Sequence, residues 1–379
     1  MRASAALALA AVSLGVLTGC TIASASEVDV TCPYAAQPLD TLDLVPDVRT
    51  ATGQSTACLA SNGITVTADS TAAELPVTVT DSEGTEVEIT DISRILPIDI
   101  SGTIAATVFA LGLGDNVVGR DASTGFEGTE DLPVVTNAGH TLNAEAILEL
   151  APTVVLTDTT LGPKEVRQQL RDAGIPVVVI SSEHTLDTTD DLIAEIAQAL
   201  GVDSRGEALI TQVDADIAAA AEQIARVAPA ATEDKARMLF LYVRGNANIY
   251  YIFGSDSGAD SLIDAVGGID VAGEIGWEGM KPMTAEALVA AQPDVIVMMT
   301  LGLESVGGVT GLLERIPALL QTPAGQNERI IDMADTQILS FGPRSAEIIL
   351  AIARALYAPA DSPVPTEAPA PATSSVPTS

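Results

Sequence analysis

The chain has 379 residues, with 51 Asp and Glu against 17 Lys and Arg, and a formal net charge of -34 at pH 7. A field of that sign excludes nucleic acid and anionic lipid headgroups as partners, because both are gripped by cationic side chains on phosphates. With 47% apolar residues, the chain is long enough to bury more than one ordinary core.

Met1-Arg2 precedes an apolar run from Ala5 to Leu17, which ends in Leu17-Thr18-Gly19-Cys20. A basic start, an apolar stretch of about a dozen residues and small residues at a cleavage point describe a secretory signal over 1–19. The stretch is too short for a permanent span, which needs ~20 apolar residues. Residues 17–20 resemble the lipobox of bacterial lipoproteins. That resemblance implies cleavage before Cys20, lipidation of its thiol and anchoring to the outer face of the cell membrane. Cys32 and Cys58 are then an even pair in an exported chain and read as one disulfide, with two free thiols as the alternative. Residues 20–84 are rich in Ala, Ser, Thr and Asp and carry no sustained helical stripe, so they read as a tether stapled once.

From 85 onward, apolar runs alternate with helical patterns. Thr153–Thr157 is followed by a helical pattern from Pro163 to Ala173 and then by Pro176–Ile180. Runs buried on both faces and joined by crossover helices predict a mainly parallel sheet in an α/β lobe over 85–188. The rhythm returns over 236–357. Asn143-Ala-Glu-Ala-Ile-Leu-Glu-Leu-Ala-Pro152 aligns with Thr284-Ala-Glu-Ala-Leu-Val-Ala-Ala-Gln-Pro293, and each copy then reaches Thr-Leu-Gly, at Thr160 and Thr300. Two related α/β lobes are therefore expected. Between them, 189–235 is a helical linker. A Ser-x-x-Glu capping box at Ser204 and Glu207 opens a helix with Ile210, Val213, Ile217, Ile224 and Val227 on one face. A single long helix between lobes is stiff, and a ligand cleft is expected between them at strand ends. Residues 358–379 repeat Pro, Ala, Ser and Thr and read as a disordered tail.

Two His, three Cys and five Tyr make the search for metal ligands short. His140 follows Gly139 on a loop between an apolar strand and the helix near Asn143, where an imidazole can face a cleft or bond its own loop. In Met238-Leu-Phe-Leu-Tyr-Val-Arg-Gly245, period-2 alternation puts Phe240, Tyr242 and Arg244 on one strand face. A guanidinium within a few Å of a phenol favours the anionic form, a hard ligand suited to ferric iron, and Tyr is an attested axial ligand of haem. The alternative is a half-buried Tyr with Arg244 paired to a carboxylate. His184 reads as a solvent-side residue before a helix. Met298, Met299, Tyr250, Tyr251 and Trp277 are pocket-wall candidates. The Gly-Gly pairs at 267–268 and 307–308 lack a following Lys-Ser/Thr and read as turns.

Across Ile95 to Ala355, segments such as Gly139-His-Thr-Leu-Asn143, Tyr242-Val-Arg-Gly245, Gly302-Leu-Glu-Ser-Val-Gly-Gly308 and Leu339-Ser-Phe-Gly-Pro-Arg344 resemble the haemin-binding lipoproteins of actinobacterial haem importers, the HmuT family. The resemblance implies a helix-linked substrate-binding protein that takes haem b, as ferric iron, between its lobes. His140 and Tyr242 would be the axial ligands, with Arg244 supporting the Tyr. It also implies a membrane permease with a cytoplasmic ATPase as partner, docked by one carboxylate per lobe. Glu165 and Glu304, just after the two Thr-Leu-Gly repeats, are the candidates, and a monomer is expected. Cobalamin or a ferric siderophore in the same architecture is the rival ligand. A scavenging module without a permease would use the same pocket. A hydrolase is the remaining alternative, but no Gly-x-Ser-x-Gly elbow or His-Glu-x-x-His helix is present, and no enzyme activity is expected.

Overall fold

The computed structural model describes residues 32–137 and 140–362. The signal segment 1–19, Cys20 with its lipidation, Gly139 and the tail beyond 362 lie outside the described residues. Among the described residues, no helix is long and apolar enough to cross a membrane.

The first lobe is built on parallel strands Ile95–Ile98, Val154–Thr157 and Val177–Val179, with Val154–Thr157 in the middle. All three are buried along their whole length, as strands covered on both faces must be. One face packs Ile95, Val154 and Val178 against Ile104 and Val108 of helix Thr103–Ala110 and Ile193 and Ile196 of helix Thr189–Ala199. The other packs Leu96, Ile98 and Val155 against Ile147, Val166 and Leu170. Helix Thr189–Ala199, expected in the linker, is thus a layer of the first lobe.

The second lobe has a mixed sheet in the order Gln54–Ala57, Ile330–Met333, Val295–Met299, Arg237–Arg244, Ile249–Phe253, Met280–Pro282. Alternation along Arg237–Arg244 separates its two cores, with Met238 and Phe240 in one and Leu239, Leu241 and Val243 in the other. The internal repeat is visible at atomic detail. Asn143 Oδ1 accepts from the Ala146 N–H at 3.2 Å and Thr284 Oγ1 from the Ala287 N–H at 3.1 Å, as N-caps of equivalent helices. Each copy then passes through a left-handed residue before its proline, Ala151 (φ 44) and Gln292 (φ 45).

Helix Asp203–Val227 joins the lobes. Its 25 residues span ~38 Å at 1.5 Å each. Leu209 and Val213 belong to the first lobe's core, Ala220 and Ile224 to the second's, and Ile217 packs against both. The expected capping box is not formed. The N-cap is Val202, without a side-chain cap, and Ser204 already lies in the first turn, where its hydroxyl donates to Asp69 Oδ2 at 2.6 Å.

Residues 32–84 are folded into both lobes, which corrects the reading of a tether. Gln54–Ala57 forms the parallel edge strand beside Ile330–Met333, and Leu39 and Leu59 are fully buried in the second lobe's core. Val77–Thr80 pairs antiparallel with Glu86–Ile89 on the first lobe. Polar bonds from buried side chains compensate for the few large apolar groups. Arg329, 0% exposed, donates to the Gly53, Ala355 and Leu356 carbonyls and to Ser55 Oγ. Asp332 accepts from Gln54 Nε2 and Thr56 Oγ1. Cys32 and Cys58 are bonded. At the other end, Ala358 is buried and the Ser362 carbonyl accepts from the Thr56 N–H, so residues 358–362 pack beside the same edge strand.

Candidate functional site

Tyr242 and Arg244 stand two residues apart near the end of strand Arg237–Arg244, hence on one face. The guanidinium carbon lies 4.5 Å from the centroid of the Tyr242 ring, a cation–π contact. Phe253 stacks on the same ring at 5.8 Å between centroids. Arg244 also has a carboxylate partner, since its Nη2 donates to Asp335 Oδ2 at 2.5 Å. Arg244 is therefore both beside the Tyr242 ring and paired with a carboxylate. Asp335 Oδ1 accepts from the Leu301 N–H at 3.0 Å, at the start of the helix that carries Glu304. Burial raises the Asp335 carboxyl above its ordinary value, although Arg244 and the Leu301 N–H pull it down. Nothing in the sequence separates Asp335 from the other acids. Its only signal is a position two residues beyond Met333, where strand Ile330–Met333 ends beside Met299.

His140 sits in the turn between Thr136–Asn137 and Thr141–Leu142, and its N–H donates to the Asn137 carbonyl at 3.1 Å. Its φ of 61 is left-handed, a conformation that His accepts better than most residues. Ser123 Oγ lies 3.4 Å from its Nδ1. Burial pushes the imidazole below its ordinary value of 6.5; the Arg244 guanidinium pushes the same way, and the Asp335 carboxylate opposes them. The first-lobe imidazole is thus within electrostatic reach of the second-lobe ion pair. The downward shift favours the neutral form, the state in which a ring nitrogen can ligate a metal.

The wall candidates divide by strand face. Tyr251 is registered with Tyr242, and Met299 Sδ lies 3.6 Å from Arg244 Nη2. Tyr250, Trp277 and the fully buried Met298 pack in the core behind the sheet and do not reach the Tyr242 face. Glu165 and Glu304 are exposed in helices Lys164–Asp172 and Thr300–Glu304. Glu165 also lines a 250 Å³ pocket with Glu83, Arg167 and Arg171. His184 is not on the solvent side. Its side chain is only 7% exposed and faces Asp99 and Asp158.

Residues 99–336 match the family model described as periplasmic binding protein. The solved heme binding protein HmuT is 41% identical, with a TM-score of 0.78 over 82% of this chain and 99% of that chain. HmuT has also been solved with a single Arg, His or Tyr replaced by alanine. An uncharacterized ABC transporter substrate-binding lipoprotein of Bacillus subtilis (strain 168), YvrC, is 25% identical over 74% of this chain and 86% of its own length. A cobalamin-binding protein of Halobacterium salinarum is 26% identical over 60% of this chain and 59% of its own. With that coverage and the two-lobed α/β architecture already in view, the chain belongs to the periplasmic binding protein family.

Proposed function

We propose that this protein captures haem outside the cell and hands it to an ABC permease, without chemistry of its own. The observation that carries the reading is the Arg244 guanidinium over the Tyr242 ring and paired with Asp335 in one lobe, with a half-buried His140 of the other lobe whose titration feels both charges. A flat, apolar macrocycle with ferric iron would be held between two such groups. His140 Nε2 and the Tyr242 oxygen would take the two axial positions, and Arg244, held by Asp335, would fix the Tyr ring from its face. Tyr251 and Met299 would line the same wall, while Glu165 and Glu304 would dock onto basic residues of the permease. Lipidation at Cys20 would keep the protein beside that permease. The likeness to HmuT supports haem as cargo; the Halobacterium relative favours a corrinoid as the second reading.

Titrating the chain from Ser24 onward with haemin, while recording its visible spectrum, tests this. A saturating one-to-one change is expected, with bands altered differently by His140→Ala and Tyr242→Phe. Variants with the parent's spectrum and affinity would overturn the axial roles. No saturable change with haemin, against saturation with cobalamin, would move the cargo to the corrinoid.

A further inference from the structure

We propose that Asp99, Asp158 and His184 form a separate metal site in the first lobe, for a divalent transition cation of the zinc type. The three residues follow the ends of strands Ile95–Ile98, Val154–Thr157 and Val177–Val179, and their ligand atoms lie within 4.8 Å of one another. Neighbouring ligands in a tetrahedral zinc site stand roughly 3.4 Å apart for ~2.1 Å bonds, so small side-chain rotations would close the set.

Of the two carboxylates, Asp158 keeps an oxygen free, whereas Asp99 Oδ2 also accepts from the Ser101 and Thr103 N–H groups at 3.1 Å each. Asp158 is 0% exposed, and its Oδ1 accepts from the Thr160 N–H and hydroxyl at 2.9 and 2.5 Å. Its Oδ2 has no hydrogen-bond partner and faces His184 Nε2 at 3.9 Å. A buried carboxylate oxygen without a donor is costly, and a cation removes that cost. His184 Nε2 lies 3.0 Å from the Ser181 carbonyl, which fixes the N–H there and leaves the lone pair on Nδ1. Nδ1 lies 4.0 Å from Asp99 Oδ2. The single Ser101 hydroxyl proton, 3.3 Å from Nδ1, is already committed to Asp99 Oδ2 at 2.5 Å. One imidazole with two carboxylates selects a borderline transition cation over Ca²⁺ or Mg²⁺, which prefer all-oxygen shells.

An acidic pocket lies beside the site. Ser181, whose carbonyl faces His184, lines a 410 Å³ pocket with Glu183, Asp191, Glu195 and Asp203. An acidic vestibule of that kind concentrates cations. Just beyond His184, the Leu186 N–H donates to Ser261 Oγ of the second lobe at 3.1 Å. A cation at His184 would therefore brace the strand ends of the first lobe where they meet the second.

The test is a zinc titration of the haem-free chain from Ser24 onward, which retains every described residue, in competition with a chromogenic chelator. One equivalent of Zn²⁺ is expected, bound equally by the His140→Ala/Tyr242→Phe double variant. His184→Ala and the isosteric Asp158→Asn should each weaken binding more than about 10-fold, the least that losing even an outer-sphere partner costs. Far-UV circular dichroism and haemin titration would establish that both variants are folded. No saturable zinc binding would overturn the proposal and leave the three residues as an internal histidine–carboxylate cluster. Binding retained by both single variants, or lost in the double variant, would overturn it too.

Discussion

Arg244 lies over the Tyr242 ring and donates to Asp335, so one guanidinium carries the geometry of the second-lobe half of the site. Burial lowers the His140 pKa most, and the members of this pair act on it in opposite directions. Ligation needs the neutral imidazole, and its folded pKa lies below 6.5, so the His-ligated spectrum should persist at pH 6.5. It should be lost on further acidification, as protons take the lone pair. Asp335 favours the imidazolium. Replacing it with a neutral amide removes that support, and the loss of the His-ligated spectrum should then occur at lower pH. In a pH titration of the haem complex, Asp335→Asn should shift this transition downward, by a fraction of a unit to about one unit as expected for a neighbouring charge. An unchanged transition would mean that Asp335 does not act on the imidazole.

At the scale of elements, what the sequence announced and what it hid follow one physical division. The strands around Val154, Val177, Tyr242 and Val295 were legible because burial on both faces, or alternation between two cores, writes itself into a local pattern. The edge strand Gln54–Ala57 was not. Four residues, Gln-Ser-Thr-Ala, carry no period, and what makes them a strand lies about 275 residues away in Ile330–Met333, Arg329 and Asp332. The pairing of Tyr242 with Arg244 was readable for the first reason and the partnership with Asp335 was hidden for the second. The disulfide belongs with that hidden segment. It joins residues 26 apart, and in the chain-entropy model a loop of that length contributes about 3.5 kcal/mol. Its removal in Cys32→Ser/Cys58→Ser should lower stability by up to that amount in thermal unfolding and loosen Gln54–Ala57 first, seen as faster amide exchange there. Unchanged exchange would show that Arg329 and Asp332 hold the strand unaided.

Across the whole molecule, three connections bear on whether the lobes move. Helix Asp203–Val227 is built into both cores, with Ile217 at the crossover. Asn62, from the N-terminal segment that packs on both lobes, donates to the Gly125 carbonyl of the first lobe at 3.0 Å. Its Oδ1 accepts from Gln337 at 3.3 Å and Arg344 at 3.0 Å in the second. The Leu186–Ser261 bond is a further contact across the junction. The stiffness of the helix was legible from its length, whereas the Asn62 bridge was not, because a lone Asn in Ser61-Asn62-Gly63 reads as an ordinary turn. A rotation of one lobe would have to bend a continuous helix and break the bonds from Asn62, so we expect the lobes to keep their relation when ligand binds. Small-angle scattering with and without haemin should therefore give superposable profiles, in keeping with preorganised complexes, whose backbones shift by about 1 Å or less. Asn62→Ala should preserve the cores but broaden the profile of the ligand-free protein, because the helix alone would then resist twisting. A radius of gyration that falls on haemin binding in the parent would instead locate a hinge in this junction and make lobe closure, rather than a preformed cleft, the way the cargo is held.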